Sequence, residues 1–185
     1  LNTLGGKIRH IGSNTLHIKG VERLHGGEFT IGPDYLEVVS FIAAAAVTHG
    51  EVTIHNAAPQ TLDMIRLVLT RLGVDWQIRG QDVVAPAHQK LRIVPDLGGF
   101  IPEISVMPWP AFPTDLISIA IVLASQARGT VLFHDWMYPS RMFFIDKLVS
   151  MGARIILCDP HRCIVEGPTR LVGEQMERPD IRAGM

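Results

Sequence analysis

Two kinds of apolar stretch alternate along the chain. Leu36, Val38, Val39, Phe41, Ile42 and Ala43 to Ala46 make one run that is apolar nearly all round a helix, and Leu116, Ile117 and Ile119 to Leu123 make a second. Helices of that kind are expected to be buried on every side. Amphipathic stretches follow each of them, with Leu62, Ile65, Leu69 and Leu72 striped against Asp63, Arg66, Thr70 and Arg71, and later with Phe144, Ile145, Leu148 and Met151 in the same part. The spacing predicts helices over about 36–48, 61–72, 116–125 and 141–151, and Leu1 to Gly6 reads as a helix tail closed by Gly-Gly. Short alternating segments predict strands at Lys7-Ile-Arg-His-Ile11, Thr15-Leu-His-Ile-Lys19, Glu28-Phe-Thr-Ile31, Glu51-Val-Thr-Ile-His55, Asp75-Trp-Gln-Ile78, Asp82-Val-Val84, Leu91-Arg-Ile-Val94, Thr130-Val-Leu-Phe-His134, Arg154-Ile-Ile-Leu157 and Cys163-Ile-Val165.

These elements repeat. Asp34 recurs as Asp115 after 81 positions, Gly50 as Gly129 after 79 and Gly73 as Gly152 after 79, while Gly5, Gly20 and Asp34 recur as Gly152, Gly167 and Asp180 at offsets of 147, 147 and 146. A fixed offset is the mark of repeated structural units. The expected architecture is therefore α/β, built of βαβαββ units whose all-apolar helices cluster inside with the sheets outside them. The division expected is 1–25 as the last strands of a preceding domain or repeat, 26–90 as a first unit, 91–170 as a second, and 171–185 as the start of a third.

Composition narrows the function. With 47% hydrophobic and 19% charged residues among 185, the chain is globular. A net charge of -1 offers no broad basic field, which argues against a nucleic-acid partner. Cys158 and Cys163 flank Asp-Pro-His-Arg in a predicted hairpin without a second ligand pair, so they read as reduced thiols and not as a zinc site, a cross-strand disulfide staying open. No apolar run reaches the ~20 residues of a membrane span. The chain is expected to be a piece of a longer cytoplasmic protein.

The stretch that carries chemistry is Met107-Pro-Trp-Pro-Ala-Phe-Pro-Thr-Asp-Leu-Ile-Ser118. Its three prolines favour an extended approach, which puts Thr114 or Asp115 at the cap or in the first turn of the helix that follows. Asp115 can serve as a cap, worth about 1 kcal/mol. Because Asp34 opens the equivalent helix, clustering would bring helix N-termini together, where free N–H groups and the macrodipole attract anions. A phosphorylated substrate fits that geometry.

The run Pro110-Ala-Phe-Pro-Thr-Asp-Leu116 resembles a motif of the UDP-N-acetylglucosamine enolpyruvyl transferases. Weaker matches follow in the same order across the chain: Gly20-Val-Glu-Arg-Leu24, Pro33-Asp34, Asn56-Ala57 with Thr61-Leu-Asp63, Ser140-Arg141, Ser150-Met-Gly-Ala153 and Asp180-Ile-Arg-Ala183. The resemblance implies an inside-out α/β barrel. It also implies transfer of the enolpyruvyl group of phosphoenolpyruvate to the 3-hydroxyl of UDP-N-acetylglucosamine, with release of phosphate and with no metal or other cofactor. That reaction opens peptidoglycan synthesis.

By the same resemblance Asp115 is the general base and contacts the sugar. Met137 makes a main-chain contact to the nucleotide sugar, Arg141 and Asp180 lie near the reacting groups, and Arg182 is the arginine of the Asp-x-Arg element. The family's cysteine loop and phosphoenolpyruvate-binding lysine belong to parts outside this chain. The run Asp34-Tyr-Leu-Glu-Val-Val-Ser40 lacks the arginine and the Thr-Gly-Thr usual after that aspartate in the family, Phe143-Phe144 replaces its common Met-His, and Trp109 stands where histidine is common. Two alternatives stand beside this reading: a shikimate-phosphate enolpyruvyl transferase, and a non-catalytic paralogue that binds a sugar nucleotide.

Overall fold

Burial distinguishes the two all-apolar helices. In the computed structural model, which describes residues 1–173, the helix α3 (Ile117–Gln126) buries eight of its ten residues, with only Val122 and Gln126 half-buried. The helix α1 (Tyr35–Val47) buries Leu36, Val38, Val39, Ile42, Ala43, Ala45 and Ala46 but leaves an open stripe of Glu37, Phe41 and Ala44, with Phe41 60% exposed. The expectation of burial all round holds for α3 and fails for α1, because the three open positions share one face that no described element covers.

The chain divides into two units, Leu1–Gly32 and Pro33–Met185. In the first, strands β1 (Lys7–Arg9) and β2 (His17–Lys19) pair antiparallel with Ile8 opposite Ile18. The Asn2 side chain bonds both the N–H and the carbonyl of Ile8, at 2.8 and 2.9 Å, which closes a short 3-10 turn onto the hairpin. The predicted strand at residues 28–31 does not form. Its alternation is right, but no second chain segment within this unit lies alongside to complete a ladder.

The second unit carries the order read from the sequence. After α1 come β3 (Val52–Ile54), α2 (Asp63–Thr70), β4 (Gln77–Arg79) and β5 (Asp82–Ala85), in an antiparallel sheet ordered β3-β5-β4. There follow β6 (Glu103–Val106), α3, β7 (Gly129–Asp135), α4 (Ile145–Ser150), β8 (Arg154–Asp159) and β9 (Arg162–Gly167), in a sheet ordered β6-β7-β9-β8. β6 and β7 are parallel, joined through α3 as a parallel pair requires.

The strand expected at Leu91-Arg-Ile-Val94 is reduced to a single bridge between Arg92 and Arg128, flanked by Ile93 N–H to Arg128 O at 3.0 Å. The strand in its place is β6, whose four residues lie after Pro102 and are too few to stand out as a pattern.

The core is continuous from α1 through α3 to the inward residues of the larger sheet, Val131 and Phe133 on β7 and Cys163 and Val165 on β9. α1 and α3 pack on each other, leaving an apolar groove of about 260 Å³ along Ala43, Ala44, Val47, Ile119 and Val122. Gly167 marks the closest approach of sheet to helix. A Cβ there would stand 2.4 Å from the carbonyl oxygens of Ala124 and Ala127, so no larger residue fits.

Ile121 is wholly buried at the centre of α3 and Leu67 is 64% exposed on α2. Ile121→Ala is expected to cost about 2–5 kcal/mol in a denaturant titration, against under about 0.5 kcal/mol for Leu67→Ala.

Candidate active site

Every residue from 112 to 121 is buried except Asp115, which is half-buried. The approach is built by local chemistry. Met107 N–H donates to Phe112 O at 3.0 Å and Ala111 N–H to Pro108 O at 3.1 Å, folding the proline-rich stretch back on itself. Phe112, 2% exposed, anchors the fold-back in the core while Met107 and Trp109 stay at the surface. Leu116 N–H then donates to Pro113 O at 3.1 Å, closing a 3-10 turn over Thr114–Leu116 that runs into α3.

Asp115 falls in the first turn, as one of the two expected placements had it, but its side chain does not cap. The residue in the capping position is Pro113, which has no side-chain oxygen to offer. The carboxylate of Asp115 accepts instead from Arg141 Nη2 at 2.9 Å, with the two side chains 22% and 13% exposed. Asp34 does cap, accepting from Leu36 N–H at 2.9 Å at the start of α1. The 3-10 turn bearing Asp115 packs on α1, and Tyr35, the first residue of α1, stacks on Trp109 with ring centroids 6.2 Å apart. The N-terminal ends of the two internal helices therefore share one rim of this unit.

Arg141 comes from the 3-10 turn Pro139–Met142 after β7. Its guanidinium also lies over the Tyr138 ring, 5.3 Å from the centroid, which fixes a long side chain that would otherwise sample many rotamers. Met137 stands half-buried in the same loop, and its N–H donates to Asp135 Oδ1 at 2.8 Å. Asp115, Met137 and Arg141 are thus brought to one place. Asp180 and Arg182 lie outside the described residues.

Sequence reasoning missed Asp135, and read Thr114 only as a candidate helix start. Asp135 ends β7 with no exposed surface, and Thr114 Oγ1 donates to its Oδ2 at 2.7 Å. The signal was present in the alternation, since Val131, Phe133 and Asp135 fall on the inward face of one strand. A carboxylate at an apolar-face position is costly unless hydrogen-bonded.

Neither cysteine belongs to this site. Both are free thiols, Cys158 exposed and Cys163 buried. Burial pushes the Cys163 thiol up to about 12, with a smaller contribution from the nearby Cys158. Among the described residues no cluster of His, Cys, Asp and Glu side chains could hold a metal ion, and no helix is long and apolar enough to cross a membrane.

The geometry can be set beside known proteins. Among solved structures the chain is similar to the enolpyruvyl transferase NikO from Streptomyces tendae, with TM-score 0.75 and 24% identity over 98% of this chain and 42% of that one. It is also similar to EPSP synthase from Acinetobacter baumannii, with TM-score 0.59 and 17% identity over 91% and 39%. The fold class is therefore the inside-out α/β architecture of the enolpyruvyl transferases, present in part.

Residues 1–185 match the family model of EPSP synthase (3-phosphoshikimate 1-carboxyvinyltransferase), and the chain belongs to that family. Over its whole length it is 50% identical to the UDP-N-acetylglucosamine 1-carboxyvinyltransferase of Treponema denticola and 51% identical to that of Borreliella burgdorferi. To that of Bacteroides thetaiotaomicron it is 47% identical over 188 aligned positions. The chain spans 43% of the length of each of these relatives.

The thiolate is the reactive form of cysteine, and a group titrating near 12 presents roughly one thiolate in 10⁴ at pH 8. Of these two cysteines, Cys158 is expected to take up iodoacetamide in native protein at pH 8 and Cys163 only after denaturation, as read by mass spectrometry of the two peptides.

Proposed function

We propose that the protein of which this chain is a part transfers the enolpyruvyl group of phosphoenolpyruvate to the 3-hydroxyl of UDP-N-acetylglucosamine. The observation that carries the proposal is Asp115, the one partly open residue in a buried run, held by Arg141 where two helix N-termini adjoin. The names of relatives about 50% identical support the acceptor and the carboxyvinyl group transferred.

In this reading Asp115 accepts the proton of the sugar 3-hydroxyl as that oxygen bonds to C2 of phosphoenolpyruvate, while C3 of the donor gains a proton from a general acid supplied by the rest of the protein. The conjugate base of that acid takes a proton back when the double bond is restored. The tetrahedral adduct then loses phosphate from C2 and a proton from C3, which restores the double bond in the product. Arg141 orients the base through one carboxylate oxygen. Met137 has its N–H committed to Asp135, so its carbonyl is the main-chain group that meets a donor on the sugar nucleotide. The helix N-termini favour the negative charge of the phosphate-bearing ligands. Asp180 and Arg182 complete the proposed set, and a third unit beginning at 171–185 belongs to the same proposal, supported by the repeated order of elements in the first two.

Full-length protein carrying Asp115→Asn is expected to lose phosphate release by roughly 10²–10⁴ in kcat, the usual contribution of a general base. Undiminished turnover excludes the role. Competition binding should show UDP-N-acetylglucosamine displacing a labelled nucleotide sugar while shikimate 3-phosphate does not, and the reverse order moves the protein to the shikimate branch. Sugar-nucleotide binding without any turnover would identify a non-catalytic paralogue.

A further inference from the structure

Asp135 is wholly buried, yet it is acidic and sits on the apolar face of β7 behind Val131 and Phe133. Each of its polar groups is engaged. Its N–H donates to His161 O at 2.8 Å, and its carbonyl accepts from His161 Nδ1 at 2.6 Å, which makes Nδ1 the protonated ring nitrogen. Oδ2 accepts from the Thr114 hydroxyl at 2.7 Å, and Oδ1 accepts from the amides of Met137 and Tyr138 at 2.8 and 3.1 Å.

His161 is itself held, since its N–H donates to Asp159 Oδ1 at 2.8 Å. That bond, with the Arg162 guanidinium beside it, keeps the Asp159 carboxyl below the usual range. The tight turn between β8 and β9 thus grips the end of β7 from one side, and the carboxylate of Asp135 reaches across to two other segments.

Well-packed apolar residues often fill such a position with equal or greater stability, so packing alone does not account for an acid here. The two segments it reaches are the ones that carry the candidate site. Thr114 adjoins Asp115 in the 3-10 turn, and Met137 and Tyr138 lead into the turn bearing Arg141, which closes the ring back onto Asp115.

We infer that Asp135 is a positioning residue for the reaction: through Thr114 and the amides of Met137 and Tyr138 it fixes the turn carrying Asp115 against the loop that contacts the sugar nucleotide. The inference rests on the enolpyruvyl-transfer reading above. Holding the base at one separation from the sugar contact acts on the chemical step more than on binding, because a misplacement of about 1 Å can cost on the order of 10²-fold in rate.

The test uses steady-state phosphate release by the full-length protein, normalised to the folded fraction. Thr114→Val removes the hydroxyl while keeping its volume, and Thr114→Ser restores the hydroxyl. Expected are a fall in kcat of roughly 10- to 100-fold for the valine variant with the KM for UDP-N-acetylglucosamine unchanged, and recovery in the serine variant. Where the valine variant does not fold, Thr114→Ala gives the same reading.

Loss of stability with kcat intact would reduce Asp135 to a purely structural group and overturn the inference. A rise in KM alone would assign Thr114 to the ligand and overturn it too. Wild-type protein that releases no phosphate from these two substrates would remove the functional reading, and this inference with it; active wild type with an unaffected valine variant removes the inference only.

Discussion

A helix with no open side has nowhere to put a charge except at its end. α3 is in that position, closed off by α1 and the larger sheet, and nothing ionisable lies along its ten residues. Its first turn is where the surrounding chain can be polar, and where the macrodipole favours negative charge. That constraint puts the carboxylate of Asp115 at the rim and sets it beside the start of α1. The repeated acid does different work in the two places. Asp34 is used up in capping α1, whereas Pro113 occupies the capping position ahead of α3 and Asp115 is left to pair with Arg141.

Two carboxylates 20 positions apart then divide the labour by environment. Asp135 is enclosed, gripped at both backbone and side chain, and accepts only from groups of this chain. Asp115 keeps about a fifth of its side chain accessible and is oriented by a guanidinium that also rests on Tyr138. A buried acid whose acceptors are satisfied contributes rigidity, and a partly open one can exchange partners with a ligand. The same residue type supplies the frame in one case and, in the proposed reaction, the base in the other.

Most of the fold was legible because helix and strand periods are local. α1, β3, β5, β7, β8 and β9 lie where alternation and apolar runs put them, within a residue or two at each end. The errors arose where a neighbour decides the outcome. Residues 28–31 alternate correctly but have no ladder partner, and Leu91–Val94 gives way to β6 as the strand beside β7. For the site, Asp115 and Arg141 were legible from a motif and are joined by an ion pair that no local pattern announces, across 26 positions. The bond between Thr114 and Asp135 stayed hidden for the same reason, since it spans 21 positions, although the alternation of β7 already puts Asp135 on the inward face.

Met137 shows how main-chain chemistry can be set by a side chain elsewhere. Its N–H is held by Asp135, so what it offers a ligand in the proposed reaction is a carbonyl, and its own side chain is free to vary without altering that offer. The direction of the bond carries a further consequence. In the proposed reaction that carbonyl meets an N–H or O–H of the acceptor sugar, while the adjoining helix N-termini favour the negative groups of both ligands.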